Sequence, residues 1–464
     1  MRCSIAMIAA AIVTCWTIGS MAIAQKAGSN EQAATAGPAG NPDQELGRRF
    51  LIKAENLPAP KSGTIAASRS LLIPYSGQTP RVMAGFRVTP FIVGLEHPRR
   101  LLVLPNNDVI VAEQRTGYLT LLRDEDGDGR ADYVERFADD FKAPYGLAYR
   151  DGHVLVADQE GIWRVPHVSG AVRGGRPEQS KIADVPPEKR KPVPAAYGQE
   201  LITKKGVFGA VVGHQNRHLA LDPKTGAMFV GVGSAGNIGV EPEVKASIQR
   251  FEADGSGQTT FASGMRNPTT IAFHPMTGEL FAGVQERDGL GDDLPPDYFT
   301  SVKQGAFYGW PYSYIGAHPQ PGFAQLAPDK VKASVVPDVL FQAHSSVLDL
   351  VFYDGNQFPA EYRGDAFVAL KGSWNRSNPT GYKVVRVRFK DGKPDGSYEN
   401  FVSGFWVSGQ ERAEVWGRPA ALAIMKDGSL LIADDTGGTI WRVSYTGQKD
   451  RASDRENTTG GMPR

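Results

Sequence analysis

A histidine, a few cations and two acidic loops are the residues of this 464-residue chain best suited to chemistry. His214 stands in Gly213-His214-Gln215-Asn216-Arg217-His218-Leu219, and a neutral imidazole there could act as a general base. Arg266 and Asn267 follow Gly264-Met265, while Lys371 opens Lys371-Gly372-Ser373-Trp374-Asn375-Arg376 and Arg418 precedes Pro419. Positive charge from Arg266, Lys371 and Arg418 would depress the pKa of a nearby histidine and keep it neutral. Three cations at one place call for an anionic partner, bound through charge-assisted hydrogen bonds. The alternative is internal pairing with Glu113, Glu286 and Asp434. His218, at the start of a strand, reads as structural.

Asp124 to Glu135 (DEDGDGRADYVE) carries acids at positions 1, 3, 5, 9 and 12 and glycine at position 6, the spacing of a calcium loop. Asp124, Asp126, Asp128, Asp132 and Glu135 would supply side-chain oxygens and Arg130 its carbonyl. The alternative is an acidic turn without metal. The flanks read as strands, so any metal here would stabilise a sheet edge. A second acidic loop, Glu286–Asp293, offers carboxylates and approachable carbonyls to another hard cation, or is a solvated turn. No GxSxG, Walker or HExxH pattern is present, which leaves the familiar hydrolase, nucleotide and zinc-protease chemistries without support.

These residues need elements to position them. Thr269 to Val284 reads as two antiparallel strands joined at Met276-Thr277-Gly278, which brings Arg266, Asn267 and the Glu286–Asp293 loop to one end. The same strand–turn–strand unit recurs at Arg100–Ala112, Gly146–Ala157, His218–Val232, Leu348–Leu370 and Ala420–Ala433. Repeated small antiparallel sheets predict an all-β fold, a six-bladed β-propeller with an N-terminal extension, whose ring closure protects strand edges. A pair of β-sandwiches is the plainer alternative. In a propeller the loops entering the inner strands share a face with those joining second and third strands. His97, Tyr145, His214, Arg266, Asn267, His344 and Arg418 would then meet Glu113, Asp158, Ser234–Asn237, Glu286–Asp293, Lys371, Asp434 and Asp435 at one mouth.

Composition sets the bounds. Net charge is +1 without a basic block, which argues against a nucleic-acid partner. Residues 1–24 read as a signal peptide ending at Ala22-Ile23-Ala24, with a membrane anchor as the alternative. That predicts a periplasmic or secreted protein with no stable membrane span after cleavage. Both cysteines, Cys3 and Cys15, fall inside this segment, so the mature chain has no disulfide and no CxxCH haem attachment. Residues 25–85 read as a flexible lead-in and a surface-wrapping segment, 86–446 as the propeller, and 447–464 as a disordered tail.

Together the motifs resemble the soluble, quinone-dependent glucose/sorbosone dehydrogenases, propellers that bind pyrroloquinoline quinone (PQQ) with Ca2+. The resemblance spans roughly Phe86 to Tyr445. It rests on the His214 and Arg266-Asn267 runs, on Glu286–Asp293 with Tyr308-Gly309-Trp310-Pro311, and on Leu370 to Arg376. It is closest to the sorbosone-dehydrogenase-like branch. It implies oxidation of an aldose or sugar aldehyde, with an external electron acceptor, a quinone or a cytochrome. It further implies His214 as the base and Arg266 against the quinone, both catalytic, with Asn267, Lys371 and Arg418 binding the cofactor. Backbone oxygens of Asp288 and Gly289 would hold the cofactor's calcium. Departures are also visible: Gly213 stands where glucose-oxidising members carry an acid, and Trp416 where they carry a second arginine. Glucose itself is therefore not implied. A ligand-binding propeller without redox activity and a metal-dependent lactonase are the competing functions.

Overall fold

The computed structural model describes residues 41–60, 68–169 and 197–447. The expected signal peptide, residues 25–40 of the lead-in and residues 448–464 of the tail lie outside the described residues. Among those described, six sheets each contain a four-strand antiparallel run. Their inner strands are Pro98–Val103, Gly146–Arg150, Leu219–Leu221, Asn267–Phe273, Val347–Phe352 and Pro419–Ile424. Each of these touches the next in sequence, and the sixth touches the first. The ring closes, and the architecture is a β-propeller.

The second strands explain why the apolar runs are so continuous. Val109–Glu113, Met228–Val232, Ala366–Leu370 and Leu430–Asp434 are buried at every position. Sheets pack on both of their faces, so neither set of alternating side chains meets water. Burial of each such Val or Leu contributes roughly 1.5–3 kcal/mol. Near the axis the sheets approach too closely for large residues. A methyl on Gly283 would lie 2.6 Å from Val347 of the neighbouring sheet, which explains a glycine in the middle of Leu280–Gln285.

The start of the propeller segment and the lead-in before it both add strands to the sheets. Phe86–Ile92 pairs with Thr439–Tyr445 and supplies the fourth strand of the last sheet, so the two ends of the propeller sequence close one sheet together. Arg49–Phe50 and Arg81–Val82 both pair with Lys393–Ser403 and cover the edge of the fifth sheet. Leu71–Leu72 lies parallel to Glu414–Val415 beside the mouth. Among the described residues no helix is long and apolar enough to cross a membrane.

A single carboxylate ties the axis together. Asp349, 1% exposed, pairs with Arg100 of the first sheet and accepts from Thr270 Oγ1 of the fourth (3.0 Å) and the Leu422 amide of the sixth (2.8 Å). His218 of the third sheet approaches it at 3.5 Å, and Tyr145 of the second donates to the adjoining Leu348 carbonyl (2.8 Å). His218 is fully buried and its pKa is pushed down to about 4 by burial, then by Arg100. It is the structural residue its position at the strand start suggested.

Candidate functional site

His214 is held by its Nδ1. That atom lies 2.9 Å from the Ser234 carbonyl and 3.1 Å from the Ser234 hydroxyl. The hydroxyl donates to the Gly236 carbonyl at 2.6 Å, so its lone pair faces the ring. Both neighbours of Nδ1 are acceptors, which places the proton on Nδ1 and leaves Nε2 with a free lone pair. The loop carrying Ser234 is itself fixed: the Glu241 carboxylate accepts the amides of Ala235 (2.7 Å) and Gly236 (3.0 Å).

Gly213 has φ +71° and its missing side chain lets the Ala235 carbonyl approach. No acidic neighbour could stand at position 213 in this backbone. The orienting role falls instead to Ser234, which has no sequence signature beyond lying in a mouth loop.

The His214 pKa is pushed down to about 3. Burial is the first cause and Arg266 the second, with Arg217 and Lys245 adding to it. Lys371 and Arg418, expected to share this task, are engaged elsewhere.

Arg266, 6% exposed, is anchored by carbonyls as much as by charge. Its Nε donates to the Asn237 carbonyl (3.1 Å), Nη1 to the Glu286 carbonyl (2.8 Å) and Nη2 to Asn237 Oδ1 (3.1 Å), with Asp288 Oδ2 at 3.8 Å. Asn267 donates from Nδ2 to Gln285 Oε1 (3.0 Å), while its buried Oδ1 has no partner. A Cβ on Gly233 would lie 2.5 Å from that oxygen and 2.5 Å from His214 Cβ, so glycine is required where His214 and Asn267 converge.

Lys371 and Arg418 meet around a different acid. Lys371 Nζ lies 2.7 Å from Asp435 Oδ2, which also takes Arg99 and has His97 Nε2 at 3.6 Å. Arg418 Nε donates to Thr436 Oγ1 (2.9 Å). These cations hold the Asp435 carboxyl far below the usual carboxylate range despite its burial. Internal pairing, the alternative to an anionic ligand, thus exists for Lys371, but through Asp435. Glu113, Asp158 and Asp434 instead cap loop amides: Asp434 accepts from Arg418, Thr436 and Gly437, and Asp158 from Lys142, Glu160 and Gly161. Glu113 accepts the Glu96 amide and the Thr120 hydroxyl.

The two groups join through one loop. Asn375 donates to Asp288 Oδ1 (2.5 Å), whose other oxygen faces Arg266, and Lys371 sits four residues earlier beside Asp435. Trp374, between them, lines a cavity of about 560 Å3 with Arg69, His97, Arg115, Arg418 and Asp435.

The metal expectations meet mixed geometry. The Asp288 carbonyl already accepts from Asn237 Nδ2 (3.0 Å) and Arg287 Nε (2.9 Å). With both lone pairs engaged it does not fit as a calcium ligand, and Gly289 alone makes no site. In the other loop Asp124, Asp126 and Asp128 bring ligand oxygens within 4.8 Å of one another. Asp132 instead accepts the Glu125 amide, and Glu135 lies in the strand Tyr133–Ala138 opposite Leu121. The Arg130 amide donates to Asp128 (2.8 Å). Among the described residues no carboxylate cluster of that kind lies on the axis, where a lactonase metal would sit.

Residues 329–446 match the family model described as TrAA12-like. The structure superposes on the holo form of the pyranose dehydrogenase PQQ domain from Coprinopsis cinerea with a TM-score of 0.63, covering 80% of this chain and 98% of that one at 20% identity. The chain has the fold of the soluble quinoprotein sugar dehydrogenases. An uncharacterized protein of Borreliella burgdorferi is 33% identical over 235 residues, 50% of this chain and 61% of that one. The PQQ-dependent pyranose dehydrogenase of C. cinerea is 24% identical over 434 residues, 78% of this chain and 54% of that one. This chain therefore spans little more than half the length of these relatives.

Proposed function

We propose that this protein is a quinoprotein dehydrogenase that oxidises an aldose or sugar aldehyde, with PQQ as its cofactor. The observation that carries the reading is the state of His214: Nδ1 protonated and pinned, Nε2 bare, beside a buried arginine. That is the arrangement a base needs to take a proton from a sugar hydroxyl at neutral pH.

The residues at the mouth fit a cofactor with several carboxylates. Lys371 and Arg418 bring more positive charge than Asp435 alone balances once Arg99 is counted. Asn267 Oδ1 is a buried acceptor still lacking a donor. Lys371, Arg418 and Asn267 would hold the quinone, and Arg266 would lie against it. When bound, PQQ supplies an acceptor for two electrons, taken as hydride from the sugar carbon. His214 Nε2 receives the hydroxyl proton, and Ser234 holds the ring so that Nδ1 keeps its own. Arg266, fixed by Asn237 and Glu286, presents a permanent charge where negative charge develops. No step is routed through a metal at Asp288.

On this reading the electrons leave to an external acceptor, a quinone or a cytochrome. His214→Gln tests the assignment. Turnover of every sugar should fall at least a thousandfold while PQQ still binds the apoprotein; retained turnover would remove His214 from this role.

A further inference from the structure

The cavity beside Asp435 contains a cation that the quinone-site assignment does not use. Arg69 belongs to the segment Ser68–Ile73, which lies outside the six sheets. The segment is fastened on both sides of Arg69. The Ser68 amide donates to the Trp374 carbonyl (2.8 Å) and the Ser68 hydroxyl to the Arg376 carbonyl. Arg412 Nε donates to the Arg69 carbonyl (2.6 Å), and the amides of Leu71 and Ile73 donate to Ala413 (2.8 Å) and Val415 (2.9 Å). The backbone of Arg69 is thereby fixed, with its guanidinium 6.0 Å from the Trp374 ring and lining the cavity.

The charges there do not balance. Three arginines, Arg69, Arg115 and Arg418, line the cavity against one acid, Asp435, and that acid is already taken by Lys371 and Arg99. Among the described residues neither Arg69 nor Arg115 has a carboxylate within ion-pair distance. Arg69 and Arg115 are both exposed at the rim of the cavity, but the backbone of Arg69 is fixed there, and a planar guanidinium fork held at a cavity rim without a carboxylate of its own suits an incoming carboxylate.

We propose that the segment Ser68–Ile73 is a wall of the ligand site and that Arg69, with Arg115, binds a carboxylate there. The carboxylate belongs either to the quinone or to an acidic sugar such as a uronate; assigning it to either source rests on the quinoprotein reading, whereas the carboxylate site itself does not.

Arg69→Gln separates the possibilities, since the strand is held by main-chain bonds that the substitution leaves in place. Benzene-1,3,5-tricarboxylate binding to the apoprotein, followed by tryptophan fluorescence, tests the site without any redox chemistry. Wild type should bind it in a salt-sensitive manner, and Arg69→Gln should weaken it at least tenfold, with Arg69→Lys in between. A tenfold loss of PQQ affinity as well assigns the carboxylate to the cofactor. Unchanged PQQ affinity with a tenfold higher KM for glucuronate, and none for glucose, assigns it to the substrate. Tricarboxylate binding without quinone binding would leave the carboxylate site standing and remove the quinoprotein reading. Equal tricarboxylate affinity in wild type and Arg69→Gln, or none in either, overturns the proposal.

Discussion

The base of the proposed reaction, His214, is oriented by neutral groups alone. Ser234 offers a carbonyl and a hydroxyl to Nδ1, and burial with Arg266 pushes the ring's pKa down to about 3. The base is therefore already deprotonated across the usual assay range. The acid limb of kcat/KM should lie below about pH 5, because only there does the proton occupy Nε2. Ser234→Asp would set a carboxylate against Nδ1, stabilise the imidazolium and move that limb upward by at least one pH unit. A wild-type limb near pH 6.5 would contradict the depression by burial and Arg266, and an unmoved limb in the variant would show that Ser234 does not govern this ring. His214, Arg266 and Lys371 were legible as candidates in the sequence because a histidine and two cations fall in loops that a propeller brings to one mouth. Ser234 was not, since a serine in Gly-Ser-Ala-Gly looks like any turn. Nor was the division of labour between Asp434 and Asp435. Asp434 ends the strand Leu430–Asp434 and Asp435 opens the turn after it, so one acid caps the loop and the other gathers cations.

At the scale of elements, the hairpins were readable because each pairs an apolar run with a turn signal, and the strands fall within a few residues of the expected units. The edge additions were not. Arg49–Phe50 and Leu71–Leu72 are two-residue strands, too short to show any period. Side-chain alternation along a strand splits Arg99 from Arg100, sending one to Asp435 and the other to Asp349. The loop before His214 carries its own prediction. Gly213→Ala puts a side chain at φ +71° against the Ala235 carbonyl, at a cost of about 1 kcal/mol or more. It should lower turnover more than tenfold with only a modest loss of stability in urea, because the strain falls on the loop that holds the base. The Asp124–Asp128 loop predicts a separate effect. If it binds calcium, EDTA should lower the melting temperature of wild type and leave Asp126→Ala unchanged; equal response in both would mark it as a metal-free turn.

For the whole molecule, the ring is held at its centre as well as at its seam. Asp349 links the first, fourth and sixth sheets and sits against His218 of the third. Asp349→Ala strands Arg100 in the interior, and removal of one partner of a buried pair costs about 3–5 kcal/mol, measurable as a lowered urea midpoint. The axis also sets a pH dependence. The pKa of His218 is about 4 in the fold, below its unfolded value near 6.5. Its contribution to stability is complete above pH 6.5 and is lost as pH falls through about 4. His218→Gln should flatten that part of the stability profile, and an unchanged slope would assign it to other groups. The propeller was visible in the repeat. Its closure by Phe86–Ile92 was not, because a pairing across some 350 residues leaves no local trace.

The most direct test is reconstitution of the apoprotein with PQQ and calcium, followed by dye reduction over a panel of aldoses, uronates and sugar aldehydes. The account predicts stoichiometric quinone binding and dye reduction that depends on both quinone and sugar. It predicts that His214→Gln binds the quinone and reduces no dye. Failure of the wild-type protein to bind PQQ, or binding without reduction by any sugar or aldehyde, would contradict it.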